Sequence, residues 1–177
     1  MSVSISVEPG PSLDARPAVR MVRAERGDDS LVDVVIDIDL KSFIEPTFSR
    51  HTATALLAHG ETFLLKSGEQ IVGTCLAMRA WEPPGGVHLV SMAILPGSRG
   101  RGLGQRFIGW VLAALAEDGV GSASLVVGSE NVRALRVYKD VGFEVTREGP
   151  VDRATGERQL YLSVDLAHAH PHLRPNR

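Results

Sequence analysis

Two arginines and three glycines crowd into Arg99-Gly100-Arg101-Gly102-Leu103-Gly104, between an apolar run, VHLVSMAILP, and an apolar-faced segment, QRFIGWVLAALA. A strand that passes through such a turn into a helix can hold phosphate. The first helical N–H groups have no intrahelical acceptor, and the positive end of the helix dipole lies there. Glycine has no Cβ, so the backbone can approach an anion closely. Two nucleotide-binding patterns are not met. A G-x-x-x-x-G-K-[ST] loop starting at Gly97 would need lysine after Gly102, where Leu103 stands. A G-x-G-x-x-G fingerprint fails because Gly100-x-Gly102 leads to Gln105 and Gly102-x-Gly104 leads to Phe107. Taken alone, the hexapeptide also fits a solvated turn.

A second group of residues follows in NVRALRVYKDVGF. Asn131 and Tyr138 are two helical turns apart, so both can face one ligand. Taken singly, Tyr138 also fits an ordinary core aromatic. Together, Arg99, Gly102 and Gly104 fill [RQ]-x-x-G-x-[GA], and Asn131, Ala134, Tyr138, Gly142 and Phe143 fill N-x-x-A-x-x-x-Y-x-x-x-G-F. In this order and spacing the chain resembles the GNAT N-acetyltransferase family over roughly residues 20–166. The resemblance implies acetyl-CoA as acyl donor, no metal, and direct transfer of the acetyl group to an amine. It implies that backbone amides of Arg99, Gly100, Arg101, Gly102, Leu103, Gly104 and Gln105 hold the pyrophosphate. Main-chain groups of Met92, Ala93 and Ile94 would hold the pantetheine arm and thioester. Tyr138 would be the general acid at the departing sulfur, and Asn131 would order the pantetheine arm or the loop. A phenol with a reference pKa near 10 stays protonated at neutral pH and can donate.

An amine nucleophile is largely protonated near pH 7, so its proton must go somewhere. Relatives carry an acidic residue before the glycine turn or on the following strand, where this chain has Val90, Ser91 and Val126. His88, Glu82, Glu45 and a water chain remain as candidates. The segment DIDLKSFIEPTFS is similar to the acceptor-side helix-loop-helix of the ribosomal-protein alanine N-acetyltransferases. The paired tyrosines that such enzymes carry before their final hairpin are replaced by REGPVD. A small-molecule primary amine is therefore the first expectation for the acceptor. A peptide or protein N-terminus or lysine is the second, and a non-catalytic acetyl-CoA-binding module the third. Phe43, Thr47, Phe48 and Trp81 are expected to line the acceptor pocket.

These residues need a scaffold, and the hydrophobic pattern supplies one. AVRMVRAE alternates as a strand, and GDDSLVDVVIDIDLKSF carries helix-capping residues followed by helical spacing. RHTATALLAHG reads as a second helix ending at Gly60, and ETFLLKSGEQIVGTCLAMRA as two strands around Ser67-Gly68-Glu69. VHLVSMAILP is a strand, and the segment from Leu103 is a helix with Phe107, Val111 and Leu115 on one face. SASLVV, ENVRALRVYKDV, FEVTRE and QLYLSVDL continue as strand, helix, strand and strand, with GPVDRATGE as a loop. The expected fold is α/β: a single GNAT-like domain with a mixed, mostly antiparallel sheet of about seven strands flanked by four helices.

A length of 177 residues fits one domain, expected over 19–167, with a loose leader (1–18) and a loose tail (168–177). His168, His170 and His172 alternate in that tail, beside prolines and without a ligand cluster. A formal charge of -2 argues against a nucleic-acid partner. The lone Cys75 excludes an internal disulfide and multi-cysteine zinc patterns, and its apolar surroundings suit a core residue. Neither a membrane span nor a secretory signal is read, so a cytoplasmic protein is expected. The family resemblance adds a homodimer as an option.

Overall fold

The computed structural model describes residues 17–43, 46–100, 102–153 and 155–166. Glu45, Arg101, the three tail histidines and most of the expected leader lie outside the described residues. The elements follow the expected order: β1 (Val19–Arg23), α1 (Val32–Ser42), α2 (Arg50–His59), β2 (Glu61–Ser67), β3 (Gln70–Arg79), β4 (Gly86–Ile94), α3 (Leu103–Glu117), β5 (Ser122–Gly128), α4 (Val132–Asp140), β6 (Glu144–Val151) and β7 (Arg158–Asp165). They form one seven-stranded sheet in the order β1-β2-β3-β4-β5-β7-β6. All neighbours are antiparallel except β4 and β5, which run parallel on either side of α3.

Local chemistry sets the boundaries. Asp28 accepts from the Ser30 N–H at the entry to α1, and the Ser49 hydroxyl caps α2 by accepting from the Thr52 N–H at 3.2 Å. At Gly60 a Cβ would lie 2.6 Å from the Ala77 carbonyl oxygen, so only glycine lets α2 turn directly into β2. Helix α3 ends in a Schellman motif: the Val120 N–H reaches the Leu115 carbonyl and the Gly119 N–H the Ala116 carbonyl, with Gly119 at φ +78°.

Two apolar layers sandwich the sheet. On one face Phe107, Ile108, Val111, Leu112 and Leu115 of α3 are fully buried against Phe63, Leu65, Leu89, Leu125 and Leu162. Burial of each such side chain contributes roughly 2 kcal/mol. On the other face Val32 and Val35 of α1 and Leu56 and Leu57 of α2 pack on Leu64 and Leu76. Among the described residues no helix is long and apolar enough to cross a membrane.

The last hairpin departs from expectation. Gly149, Pro150 and Val151 read as loop residues but belong to β6, with Val151 paired to Arg158. An edge strand tolerates proline and glycine, and at Gly149 a Cβ would lie 2.6 Å from the Tyr161 ring.

Candidate functional site

The parallel pairing of β4 with β5 stops at Leu89 opposite Leu125, while β4 stays paired to β3 as far as Ile94. From Val90 onward the two parallel strands diverge, and the β5-facing edge of β4 has no ladder partner. A β-bulge sits at the point of divergence. Ser91 lies opposite Leu76 and Leu89 opposite Ala77, which leaves Val90 unopposed. The extra residue turns both Leu89 and Met92 toward the α3 side of the sheet.

Beyond β4 the chain makes a short 3-10 turn, Pro96–Ser98, and enters α3 through Gly100 at φ +102° and Gly102 at φ +71°. Both values lie in the left-handed region that favours glycine. No side chain caps α3. The Leu103 N–H turns back to the Gly100 carbonyl at 3.1 Å, and the Gly104 and Gln105 N–H groups that follow are the first-turn donors left for whatever occupies the space in front. A Cβ on Gly100 or Gly102 would meet nothing within 4 Å, so the space ahead of both is open.

Arg99 is engaged elsewhere. Its Nε donates to the Ile94 carbonyl and its Nη2 to the Ser42 carbonyl, each at 2.8 Å. The guanidinium thus ties the end of β4 to the last turn of α1, where a cation is favoured by the exposed carbonyls. Its side chain positions the turn, leaving the backbone to face a ligand.

Helix α4 closes the other wall. The Asn131 Oδ1 caps it by accepting from the Ala134 N–H at 3.1 Å, so its amide group is the part left for a ligand. Tyr138 stands further along, packed edge-on against Phe143 with ring centroids 5.7 Å apart. Burial, together with nearby Cys75, pushes the Tyr138 phenol well above its usual range. Cys75 is the cross-strand neighbour of Met92, so the tyrosine stands beside the divergent part of β4. The Cys75 thiol is fully buried and its pKa is pushed up to about 12 by that burial. It is a core thiol, not a nucleophile.

These walls enclose an open cleft of about 840 Å³. Met92, Ala93, Ile94, Arg99, Gly100, Gly102, Leu103, Gly104, Gln105, Asn131 and Tyr138 all line it. Every described residue expected to touch the cofactor is thus brought to one cavity. The sequence pattern missed Arg133 and Arg136, which also line it. They lie three apart on α4, a spacing that could have flagged a basic face beside the glycine turn. Among the described residues, no group of three or more His, Cys, Asp or Glu could hold a metal ion.

The acceptor-side expectations fare less evenly. Phe43 lines the cleft, Phe48 packs under α1 and α2, and Trp81 is 96% exposed and away from it. The Thr47 N–H donates to Asp39 Oδ2 at 2.7 Å. Asp39 is only 2% exposed, and its other oxygen has no hydrogen-bond partner, as is also true of the Ser42 and Ser91 hydroxyls. Burial lowers the pKa of His88, whose ring contacts Ser124.

Comparison with known proteins gives one answer at three levels. A family model described as the acetyltransferase (GNAT) family matches residues 29–143. The chain is 31% identical over 116 residues to N-acetyltransferase family 8 member 2 of Rattus norvegicus, an alignment covering 64% of this chain and 50% of that protein. The chain therefore spans about half the length of the curated relatives of this kind that it matches. Its fold is similar to that of the ribosomal-protein-S18-alanine N-acetyltransferase from Escherichia coli, with a TM-score of 0.74 at 17% identity, covering 89% of this chain and 100% of that one. It is also similar to an acetyltransferase from Bacillus subtilis solved in complex with CoA, with a TM-score of 0.66 at 17% identity, covering 84% and 99% of the two chains.

Proposed function

The chain belongs to the GNAT acetyltransferase family, and from that premise we propose that it transfers an acetyl group from acetyl-CoA to the primary amine of a small molecule. The observation that carries this reading is the convergence of the glycine turn, the free edge of β4 and Tyr138 on one cleft. First-turn amides of α3 take the pyrophosphate, and the open space before Gly100 and Gly102 lets the anion approach them. Arg133 and Arg136 supply positive charge along the same wall.

The free edge of β4 offers main-chain donors where the strands diverge. One such N–H, aimed at the carbonyl oxygen as negative charge develops on it, is worth roughly 3 kcal/mol. Tyr138 keeps its proton, because burial opposes the phenolate. It therefore stabilises the departing sulfur by donating a hydrogen bond. Full proton transfer from a phenol of raised pKa to a thiolate near 8.5 would run uphill.

A small amine suits a chain that has REGPVD where peptide-acetylating relatives carry paired tyrosines. A peptide N-terminus is the second reading, favoured by the half-buried row Ser124, Val126, Tyr161 and Ser163 on the sheet face away from α3. The test is release of free thiol from acetyl-CoA over a panel of small amines and short peptides. Amine-dependent release supports transfer. Cofactor binding without it would favour a non-catalytic binding module.

A further inference from the structure

Acetyl transfer to an ammonium needs a proton acceptor, and where relatives carry a carboxylate this chain has Val90 and Ser91 on β4 and Val126 on β5, none of them a carboxylate. We propose that the acceptor is His88 Nε2 and that Ser124 is the positioning residue that fixes its tautomer. This rests on the acetyl-transfer reading above.

The strand register puts His88 on the right face. His88 lies opposite Ser124, Ser124 opposite Ser163, and Ser163 opposite Glu144, one row across β4, β5, β7 and β6. Their neighbours Leu89, Leu125 and Leu162 point into the α3-side core, so this row points away from it. The next row on this face holds Val126, Tyr161 and Arg147. Helices α1 and α2 pack on β2, β3 and β4. Ser124, Val126, Tyr161 and Ser163 stay half-buried, which leaves a way for an amine to reach the point where β4 and β5 part.

Hydrogen bonding then selects the tautomer. The Ser124 hydroxyl lies 3.1 Å from His88 Nδ1 and 3.3 Å from the Val87 carbonyl oxygen. A carbonyl can only accept, so the arrangement that makes both contacts puts the single hydroxyl hydrogen on Val87. In that arrangement the ring donates through Nδ1–H, and Nε2 keeps its lone pair. Burial lowers the pKa of the ring, so it is neutral and able to accept near pH 7.

Among the described residues, none with an opposing charge is paired with that ring. Glu144 ends the row about 14 Å away, at three strand spacings. Arg147 is stacked on Tyr161 in the next row, and Arg79, opposite Val87, points to the other face. From α1, Asp39 is the buried carboxylate on this side, and Glu82 stands in the loop before β4.

His88 and Met92 are about 12 Å apart along the strand. The proton therefore passes from the ammonium to Nε2 through waters past Val90; the step is uphill for a ring of lowered pKa, and capture of the small neutral fraction of amine by the thioester draws it forward. The neutral amine then forms the C–N bond, and the C–S bond breaks. The second proton on nitrogen leaves with the sulfur, which departs as thiol.

The experiment is the pH dependence of kcat/KM for the best amine, with acetyl-CoA affinity measured by calorimetry. The wild type should show an acidic limb of unit slope. His88→Gln should lose that limb and fall roughly a hundredfold at pH 7, with unchanged acetyl-CoA affinity. Imidazole should partly restore His88→Ala, and Asp39→Asn should keep the limb. An unaltered limb in His88→Gln, or its loss in Asp39→Asn alone, overturns the proposal while leaving acetyl transfer intact. Nitrogen-15 NMR of the wild-type ring adds a test that needs no variant: Nδ1–H is expected, and Nε2–H refutes the assignment. A wild type that binds acetyl-CoA but transfers to no amine refutes the function and this inference together.

Discussion

Replacing Gly102 with alanine separates the cost to the fold from the cost to the ligand. Gly102 sits at φ +71°, and a Cβ there would touch nothing within 4 Å. The fold therefore pays only for a left-handed alanine, about 1–2 kcal/mol. For a domain of this size that lowers Tm by roughly 2–8 °C. Gly119 is the matched control. It has φ +78°, equally open surroundings and a place at the far end of the same helix. Gly119→Ala should lose similar stability. Only the methyl on residue 102 projects where the pyrophosphate would lie. Loss of one backbone bond to a charged group costs about 1.5–3 kcal/mol, or roughly ten- to a hundredfold in affinity. Thermal melts and calorimetry with acetyl-CoA read the two costs independently. If both variants melt lower yet bind acetyl-CoA like the wild type, the glycine turn is not a phosphate cradle. If both lose affinity equally, the loss comes from stability and the reasoning about the turn is wrong.

Tyr138→Phe should lower kcat about tenfold or more with little change in acetyl-CoA affinity, because the ring stays while the donor to sulfur goes; an unchanged kcat contradicts the role. Cys75, with its thiol pKa pushed up to about 12 by burial, should resist iodoacetamide at pH 8 in the folded protein and react on unfolding; rapid native-state alkylation would contradict the core assignment. His88 also makes stability depend on pH. Its folded pKa lies below the unfolded value of 6.5, so the unfolded chain takes up this proton first as pH falls. The contribution is intact above about pH 7 and is lost as pH drops through 6.5 toward the folded value. Between pH 7.5 and 5.5 the wild type should lose more Tm than His88→Gln, and equal losses would refute the burial argument.

The element order was legible because each segment announces itself locally. Ser49 caps a helix, Gly60 and Gly119 end helices, and Gly68 turns a hairpin. The cofactor side was legible for the same reason, since the glycine turn and α4 are continuous stretches whose residues converge on the cleft. What stayed hidden depends on register between strands. Nothing in VHLVSMAI marks Val90 as the bulge, because only the pairing with Leu76 and Ala77 creates it. The pairing of His88 with Ser124, the tie from Arg99 to Ser42 and the burial of Asp39 likewise arise from contacts distant in sequence. Trp81, expected in the acceptor pocket, stands in solvent in a turn before β4.

A crystal structure of the protein with acetyl-CoA decides how the cleft is used. The pyrophosphate should lie on the first-turn amides of α3, the thioester at the free edge of β4 beside Met92, and its sulfur within hydrogen-bonding reach of Tyr138. A pyrophosphate bound anywhere else, or a sulfur that the phenol cannot reach, would contradict that placement.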